Sequence, residues 1–175
     1  MVTVRRHDAD AFSVVGSRTW IPGQDSEPFF RFWEECRQDG TLDRLEQIRG
    51  PSPGPVTGGV LLGVSRVERR PRVRRFFYYI GVEVAPESGD HEVQGTHGAG
   101  LERFVVPAAS WAVFGERGRM PDVLVECEMY AFEEWLPESG LSHAMAPELE
   151  VYLPTGPEPE EAGIPVEFWL PVTPK

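Results

Sequence analysis

One order of elements, a strand, a helix and two further strands, occurs twice along the 175 residues of this chain. The repeat lies in the order of the elements and not in residue identity. Residues 85–100 between the two copies are polar and glycine-rich, which is typical of a linker. The sequence therefore predicts one domain, 1–175, made of repeat one (12–84), the linker (85–100) and repeat two (101–173).

In repeat one, β-branched and aromatic residues predict a strand that ends before Pro22. An apolar face at helical spacing predicts a helix, and two apolar runs around a polar turn predict a hairpin. The expected elements are a strand at 12–21, a helix beginning near Ser26 with a short second helix at 42–48, and strands at 60–67 and 76–84.

In repeat two, the expected elements are an extended segment at 101–114, a helix at 120–136, and strands at 148–153 and 166–172. Two such units side by side merge their strands into one antiparallel sheet. The predicted fold class is α+β, with helices on one face of the sheet and a ligand cleft on the other, because ligand sites favour such junctions.

Composition narrows the possible functions. A formal net charge of −11 disfavours general affinity for nucleic acid and favours attraction of cations. No apolar run is long enough to span a bilayer and no secretory signal precedes the first strand, so we expect a cytoplasmic protein. Cys36 and Cys127 lie far apart, and the four histidines have no partners at ligand spacing, so no metal site and no cofactor is predicted.

Glu150 is the strongest candidate for a functional residue. Side chains on a strand alternate between faces, so Leu149, Val151 and Leu153 are expected under the helices, while Glu150 and Tyr152 point the other way. Two interpretations remain open. Glu150 is either a partly desolvated carboxylate that pairs with a cationic ligand, or an exposed glutamate on the outer face of the sheet.

Three further aromatic residues are candidates for the lining of the same cleft. They are Tyr79, Trp111 and Trp169. Stacked rings attract cations by about 0.5–2 kcal/mol per contact, although ordinary core packing also accounts for each of them. Trp33 and Trp135 lie in predicted helices and are assigned to packing. The arginines at positions 66–75 crowd one hairpin and are interpreted as a solvated turn.

Four stretches in order resemble the motifs of GyrI-like domains, the bacterial effector-binding family. They are FVVPAASWAVFG at 104–115, EWLPESG at 134–140, ELEVY at 148–152 and VEFWLPV at 166–172. Gly16 and the segment 79–84 also fit, so the resemblance covers about 12–172. It implies two strand–helix–strand–strand units and a central cleft with a glutamate at its floor, which falls on Glu150.

The family resemblance also carries expectations about ligands. In drug-sensing members the cleft glutamate faces hydrophobic cations. Trp111 stands where the family motif has tyrosine, which exchanges a hydroxyl for stacking area and suits flat aromatic ligands. Many members carry an N-terminal helix-turn-helix, whereas this chain begins almost at the first strand, so no direct contact with DNA is expected.

Three functions remain in competition. The favoured one is binding of lipophilic, cationic aromatic molecules through Glu150, Tyr152, Trp111, Tyr79 and Trp169. The alternative is a hydrolase of reactive cyclopropane-containing natural products, with Glu150 as general base and Tyr152 as its hydrogen-bonding partner. A gyrase-inhibiting interaction is the third, but the sequence has no continuous acidic stripe that would mimic DNA. Oligomeric state is left open.

Overall fold

The computed structural model describes residues 1–49, 54–85, 100–157 and 160–175. Within these ranges the chain forms nine strands: β1 (Thr3–Ala9), β2 (Phe12–Ile21), β3 (Leu61–Ser65), β4 (Phe76–Val84), β5 (Glu102–Val106), β6 (Ala109–Gly118), β7 (Leu141–His143), β8 (Glu148–Tyr152) and β9 (Ile164–Pro174). The helices are α1 (Glu27–Gln38), α2 (Thr41–Arg49) and α3 (Asp122–Met129). The last of these continues through a π-helical turn, Tyr130–Trp135, and a final turn, Leu136–Glu138.

All the strands belong to one antiparallel sheet with the order β1-β6-β9-β8-β3-β4-β2-β5, and β7 adds to β9. Each half contributes three strands in a matching arrangement, β2-β4-β3 from the first and β6-β9-β8 from the second. The two halves meet where β3 pairs with β8, with Leu62 opposite Val151 and Ser65 opposite Glu148. The α+β class and the single antiparallel sheet are thereby confirmed.

All three helices cover the same face of the sheet. α1 and α2 pack on β2 and β4 around a cluster that includes Phe32, Leu45 and Ile80. α3 packs on β6 and β9 around a second cluster that includes Phe114 and Phe168. The two helical layers lie over different halves of the sheet, which leaves the central strands β3 and β8 between them.

The sheet curls strongly around its helix-free face. β5 and β6 occupy distant places in the pairing order, yet only Pro107 and Ala108 separate them in sequence. Three peptide steps span at most about 10 Å, so the two regions of the sheet must approach each other. The enclosed space is filled by a third cluster that includes Phe12, Val14, Phe104 and Val106. The helix-free face is therefore a packed core.

Local chemistry explains where α1 begins and ends. Asp25 accepts a hydrogen bond of 3.1 Å from the backbone N–H of Glu27, and Pro28 lies in the first turn, where its missing N–H is not needed. Phe32 and Cys36, four residues apart, form the buried face. The chain leaves the helix at Gly40, whose φ of 82° is readily adopted only by glycine.

The predicted element order differs from the structure at β1, at β7 and within the segment 101–114. β2 and β4 have the predicted bounds. β1 was not expected, because its mostly exposed, charged residues carry no apolar alternation, and the segment 101–114 proves to be two strands. Residues 86–99 of the predicted linker lie outside the described residues. No helix within the described ranges is long and apolar enough to cross a bilayer.

Candidate functional site

Glu150 lies on the central strand β8, with Gly63 of β3 and Phe168 of β9 directly opposite. Phe168 belongs to the cluster under α3, so the Glu150 side chain is on the helix-covered face. The expectation that Leu149 and Val151 lie under the helices is wrong, since both belong to the packed helix-free core. We call the space above Gly63 and Glu150, between the side chains of α1 and α3, the central groove.

Gly63 makes room for the carboxylate. A Cβ atom at this position would lie 2.8 Å from the Glu150 carboxyl carbon and would overlap the Oε2 atom and the Tyr78 hydroxyl. Real Cβ atoms do not approach that closely, so a side chain here must displace the acid. The glycine of the first half therefore leaves space at the junction for the glutamate of the second half.

Two tyrosine hydroxyls donate to the same oxygen of Glu150. Tyr78 donates to Oε2 at 2.7 Å and Tyr152 donates at 2.5 Å. The indole N–H of Trp33, on α1, in turn donates to the Tyr78 hydroxyl at 2.9 Å. Among the described residues, Oε1 accepts no hydrogen bond, and the residue keeps 7% of its surface exposed. Oε1 is thus an acceptor open to a further partner.

Burial dominates the acid–base properties of this group. Desolvation raises the pKa of Glu150, and the hydrogen bonds from Tyr152 and Tyr78 only partly offset it. Desolvation, followed by the charge of Glu150, raises the pKa of both tyrosines well above the usual value. Both hydroxyls therefore stay protonated and act as donors.

A second carboxylate on the same strand, Glu148, is already neutralised. Arg74 donates to its two oxygens at 3.0 Å each, and His143 Nε2 lies 3.2 Å from Oε1. Burial alone would raise the pKa of Glu148, but the hydrogen bonds from His143 and Arg74 lower it. Arg74 is therefore part of a partly buried ion pair, and the interpretation of the arginine-rich hairpin as a solvated turn is wrong for this residue.

A third carboxylate, Glu128 on α3, is only partly exposed. Burial, and after it the negative charges of Glu150 and Glu148, raise the pKa of Glu128 to about 8, although Arg74 opposes the shift. No ion pair joins Glu128 to another of the described residues. The central groove thus brings three acids together with one guanidinium.

Partly exposed aromatic rings form the walls of the groove. From α1, Phe29 packs edge-on against Tyr78 at 4.8 Å between ring centroids, and Trp33 packs edge-on against Tyr152 at 5.1 Å. From the π-helical turn, Phe132 lies 5.8 Å from Phe168. Rings from both halves of the chain therefore surround the carboxylate of Glu150.

The other predicted site residues lie on the opposite face of the sheet. Register pairs Trp169 with Leu149 and Tyr79 with Val64, while Trp111 faces Pro171, and all three aromatic side chains belong to the helix-free core. Their exposure is 5% for Tyr79, 0% for Trp111 and 3% for Trp169. The prediction that they share a cleft with Glu150 is wrong, because the curled sheet encloses them. Only Tyr152 lies beside Glu150 as predicted.

The family model of the GyrI-like small molecule binding domain matches residues 3–173. The chain belongs to this family. No curated protein sequence matches it.

Several solved structures share the fold. SAV2435 bound to tetraphenylphosphonium has a TM-score of 0.74 at 16% identity, over 98% of this chain and 94% of that one. A putative transcription regulation protein from Staphylococcus aureus has a TM-score of 0.69 at 16% identity, over 98% of each chain. A hydrolase from Listeria innocua has a TM-score of 0.54 at 10% identity, over 97% of this chain and 91% of that one.

Sequence reasoning missed several residues of this GyrI-like site. Trp33 was assigned to packing, and Tyr78, Phe132, Glu128 and Arg74 were not identified as groove residues. Tyr78 had a usable signal, because it alternates with Tyr79 on β4 and must face the opposite side of the sheet. The others reach the groove from separate elements, and nothing in their spacing indicates that they meet. Within the described ranges, no three His, Cys, Asp or Glu side chains are placed to hold a metal ion.

Proposed function

We propose that this GyrI-like domain binds lipophilic, cationic aromatic molecules in the central groove, as a cytoplasmic sensor or sequestering protein for several such compounds and without direct contact to nucleic acid. One observation carries the proposal. Glu150 is buried, it receives hydrogen bonds only from neutral hydroxyls within the described residues, and its Oε1 has no partner there.

The energetics favour a cation as the missing partner. Taking a carboxylate out of water costs several kcal/mol unless a counter-charge and hydrogen bonds compensate for it. Two hydroxyls supply part of that compensation, and the raised pKa of Glu150 indicates that it is incomplete. A cation about 5 Å away contributes roughly 3 kcal/mol at an effective dielectric constant near 20.

The walls suit the apolar part of such a ligand. Trp33, Tyr152 and Phe132 present partly exposed rings, and each ring can add about 0.5–2 kcal/mol of cation–π attraction. Rings are tolerant of ligand shape because they impose few directional hydrogen bonds, which supports a broad specificity. The structural neighbour SAV2435 was solved with tetraphenylphosphonium, a ligand of this chemical class, and this is consistent with the proposal.

Calorimetric titration with tetraphenylphosphonium tests the proposal. We expect micromolar affinity for the wild-type protein and a loss of roughly 10- to 100-fold in Glu150→Gln, which keeps the shape and removes the charge. Triphenylphosphine oxide, which is neutral and of similar shape, should bind weakly and equally to both proteins. Glu133→Gln, which alters an exposed acid next to Phe132 on the π-helical turn, is the control and should bind like the wild type. Equal affinity of wild type and Glu150→Gln for the cation would refute the proposal.

A hydrolase is the second candidate, and the geometry of the acid favours it specifically. Oε1 is open to a water molecule, Oε2 is held by Tyr78 and Tyr152, and the raised pKa of Glu150 makes it a better base near neutral pH. We expect turnover of a cyclopropane-containing electrophile to disappear in Glu150→Gln and to fall in Tyr152→Phe. Product analysis by mass spectrometry decides between the two functions, since simple binding leaves the compound intact.

A further inference from the structure

The charges in the central groove do not balance. The charges of Glu148, Glu150 and Arg74 all act on Glu128, and the Arg74 guanidinium lies 5.8 Å from the ring of Phe132. Both terminal nitrogens of Arg74 donate to Glu148. The described residues provide no ion pair for Glu128 or for Glu150. The groove is therefore two positive charges short of neutrality when all three acids are ionised.

Aromatic surface connects the two unpaired acids. Phe132 lies one helical turn beyond Glu128, so both side chains are on the same side of the helix. Phe132 contacts Phe168, and Phe168 lies directly opposite Glu150 on the neighbouring strand. A molecule that reaches from one acid to the other therefore passes these two aromatic rings, of which Phe132 also has the Arg74 guanidinium 5.8 Å from its centroid.

We propose that the central groove selects molecules with two cationic centres joined by an apolar spacer, one centre at Glu150 and the other at Glu128. This inference rests on the proposed function, because it assigns a second charge to the ligand of the same site. A single cation at Glu150 leaves Glu128 without a counter-charge, so at neutral pH Glu128 keeps its proton. A dication satisfies both acids at once.

The groups around Glu128 determine how this selectivity depends on pH. From β8, Glu150 and Glu148 oppose its ionisation, and Arg74, which precedes β4, favours it. His143 faces Glu148 from β7, and the hydroxyls of Tyr78 and Tyr152 remain protonated at these pH values. With a pKa of about 8, Glu128 is roughly one-tenth ionised at pH 7 and roughly nine-tenths ionised at pH 9.

Matched phosphonium probes test the inference. The dications are two triphenylphosphonium groups joined by alkyl linkers of several lengths. Each has a monocationic counterpart in which one phosphonium is replaced by a neutral triphenylmethyl group. For the best linker, we expect the ratio of monocation to dication Kd to exceed one at pH 7 and to increase roughly tenfold by pH 9. Calorimetry in buffers of different ionisation enthalpy should show roughly one more proton released by the dication than by the monocation at pH 7.

Glu128→Gln is the decisive variant. Its amide matches the protonated carboxyl that predominates at neutral pH, so the fold should be retained, and circular dichroism checks this. Both the pH dependence of the Kd ratio and the extra proton should disappear in Glu128→Gln and persist in Glu133→Gln. An unchanged Kd ratio and proton release in Glu128→Gln would overturn the inference.

Failure of this inference is distinguishable from failure of the proposed function. If the monocation binds through Glu150 but the dication has no advantage at any linker length, only the second cationic position is wrong. If the monocation binds without dependence on Glu150, or no probe binds, the proposed function is wrong and the inference is overturned with it.

Discussion

Gly63→Ala should damage the site and the fold together, although it adds only one methyl group. The new Cβ would lie 2.8 Å from the Glu150 carboxyl carbon and would overlap both Oε2 and the Tyr78 hydroxyl. Overpacking a buried position costs about 1–3 kcal/mol, and losing a hydrogen bond to a charged group costs about 1.5–3 kcal/mol. Overpacking and the loss of the hydrogen bond involve the same atoms, so their costs are not fully additive. We expect the unfolding free energy to fall by about 2–4 kcal/mol and the binding of tetraphenylphosphonium to weaken by at least about tenfold.

Urea denaturation followed by tryptophan fluorescence measures the first effect, and calorimetric titration measures the second. Gly23→Ala is the matched control, since a Cβ at that position meets nothing within 4 Å, and it should stay within about 0.5 kcal/mol of the wild type. In a Glu150→Ala background the cost of Gly63→Ala should fall by at least about 1 kcal/mol, because the displaced group is gone. A Gly63→Ala variant with the stability and affinity of the wild type would refute the packing of the acid over Gly63.

Three further perturbations address other parts of the molecule. Arg74→Met leaves Glu148, which is 2% exposed, without its main counter-charge and should lower the unfolding free energy measured in urea by about 3 kcal/mol. The double variant Arg74→Met/Glu148→Leu should recover most of this loss. A loss below about 1 kcal/mol would contradict the ion pair between Arg74 and Glu148. The pKa of Glu128 is raised from 4.5 to about 8 in the folded state, so between these two pH values the folded protein holds a proton that the unfolded chain has released. The contribution of Glu128 to the unfolding free energy therefore decreases as the pH rises from about 4.5 to about 8. The unfolding free energy of the wild type should therefore fall relative to Glu128→Gln over that range, and parallel pH profiles would argue against the shift. Tyr79→Phe removes a 2.7 Å hydrogen bond to Glu102 on the helix-free side and should leave cation affinity within about twofold, whereas a larger loss would place Tyr79 in the ligand site after all.

The periodicity of apolar residues and the positions of turn-forming residues were sufficient to predict most of the fold. β2 and β4 have strong β-branched and aromatic alternation bounded by turn residues, and their bounds agree with the prediction. β1 lacks that signal because it is an edge strand whose seven residues are mostly exposed. It pairs with β6 along the backbone and adds polar side-chain contacts, such as Ser110 donating to Asp8 and Arg5 donating to Glu167. Contacts of this kind leave no apolar alternation in the sequence.

Alternation correctly separated Glu150 and Tyr152 from Leu149 and Val151, but it did not identify which face the helices cover. Both faces of β8 are buried, one by the curled sheet and one by side chains of the helical layers. An apolar run such as Leu149 and Val151 looks the same beneath helices and inside a curled sheet. Because Glu150 was predicted on the helix-free face, Tyr79, Trp111 and Trp169 were predicted beside it. These three residues share the helix-free face with Leu149 instead, on the side of the sheet opposite to Glu150.

The site depends on the junction of the two halves, which explains why neither half reveals it alone. The second half supplies Glu150, Tyr152 and Glu128. The first half supplies Tyr78 and Trp33, and its Gly63, which has no side chain, leaves space for the carboxylate. Only the pairing of β3 with β8 brings Gly63 under Glu150. A bulky residue on β3 would leave the same glutamate motif in the sequence and no room for its carboxylate. In a chain of this architecture, a glycine on the third strand is therefore as informative about the groove as the acid on the eighth.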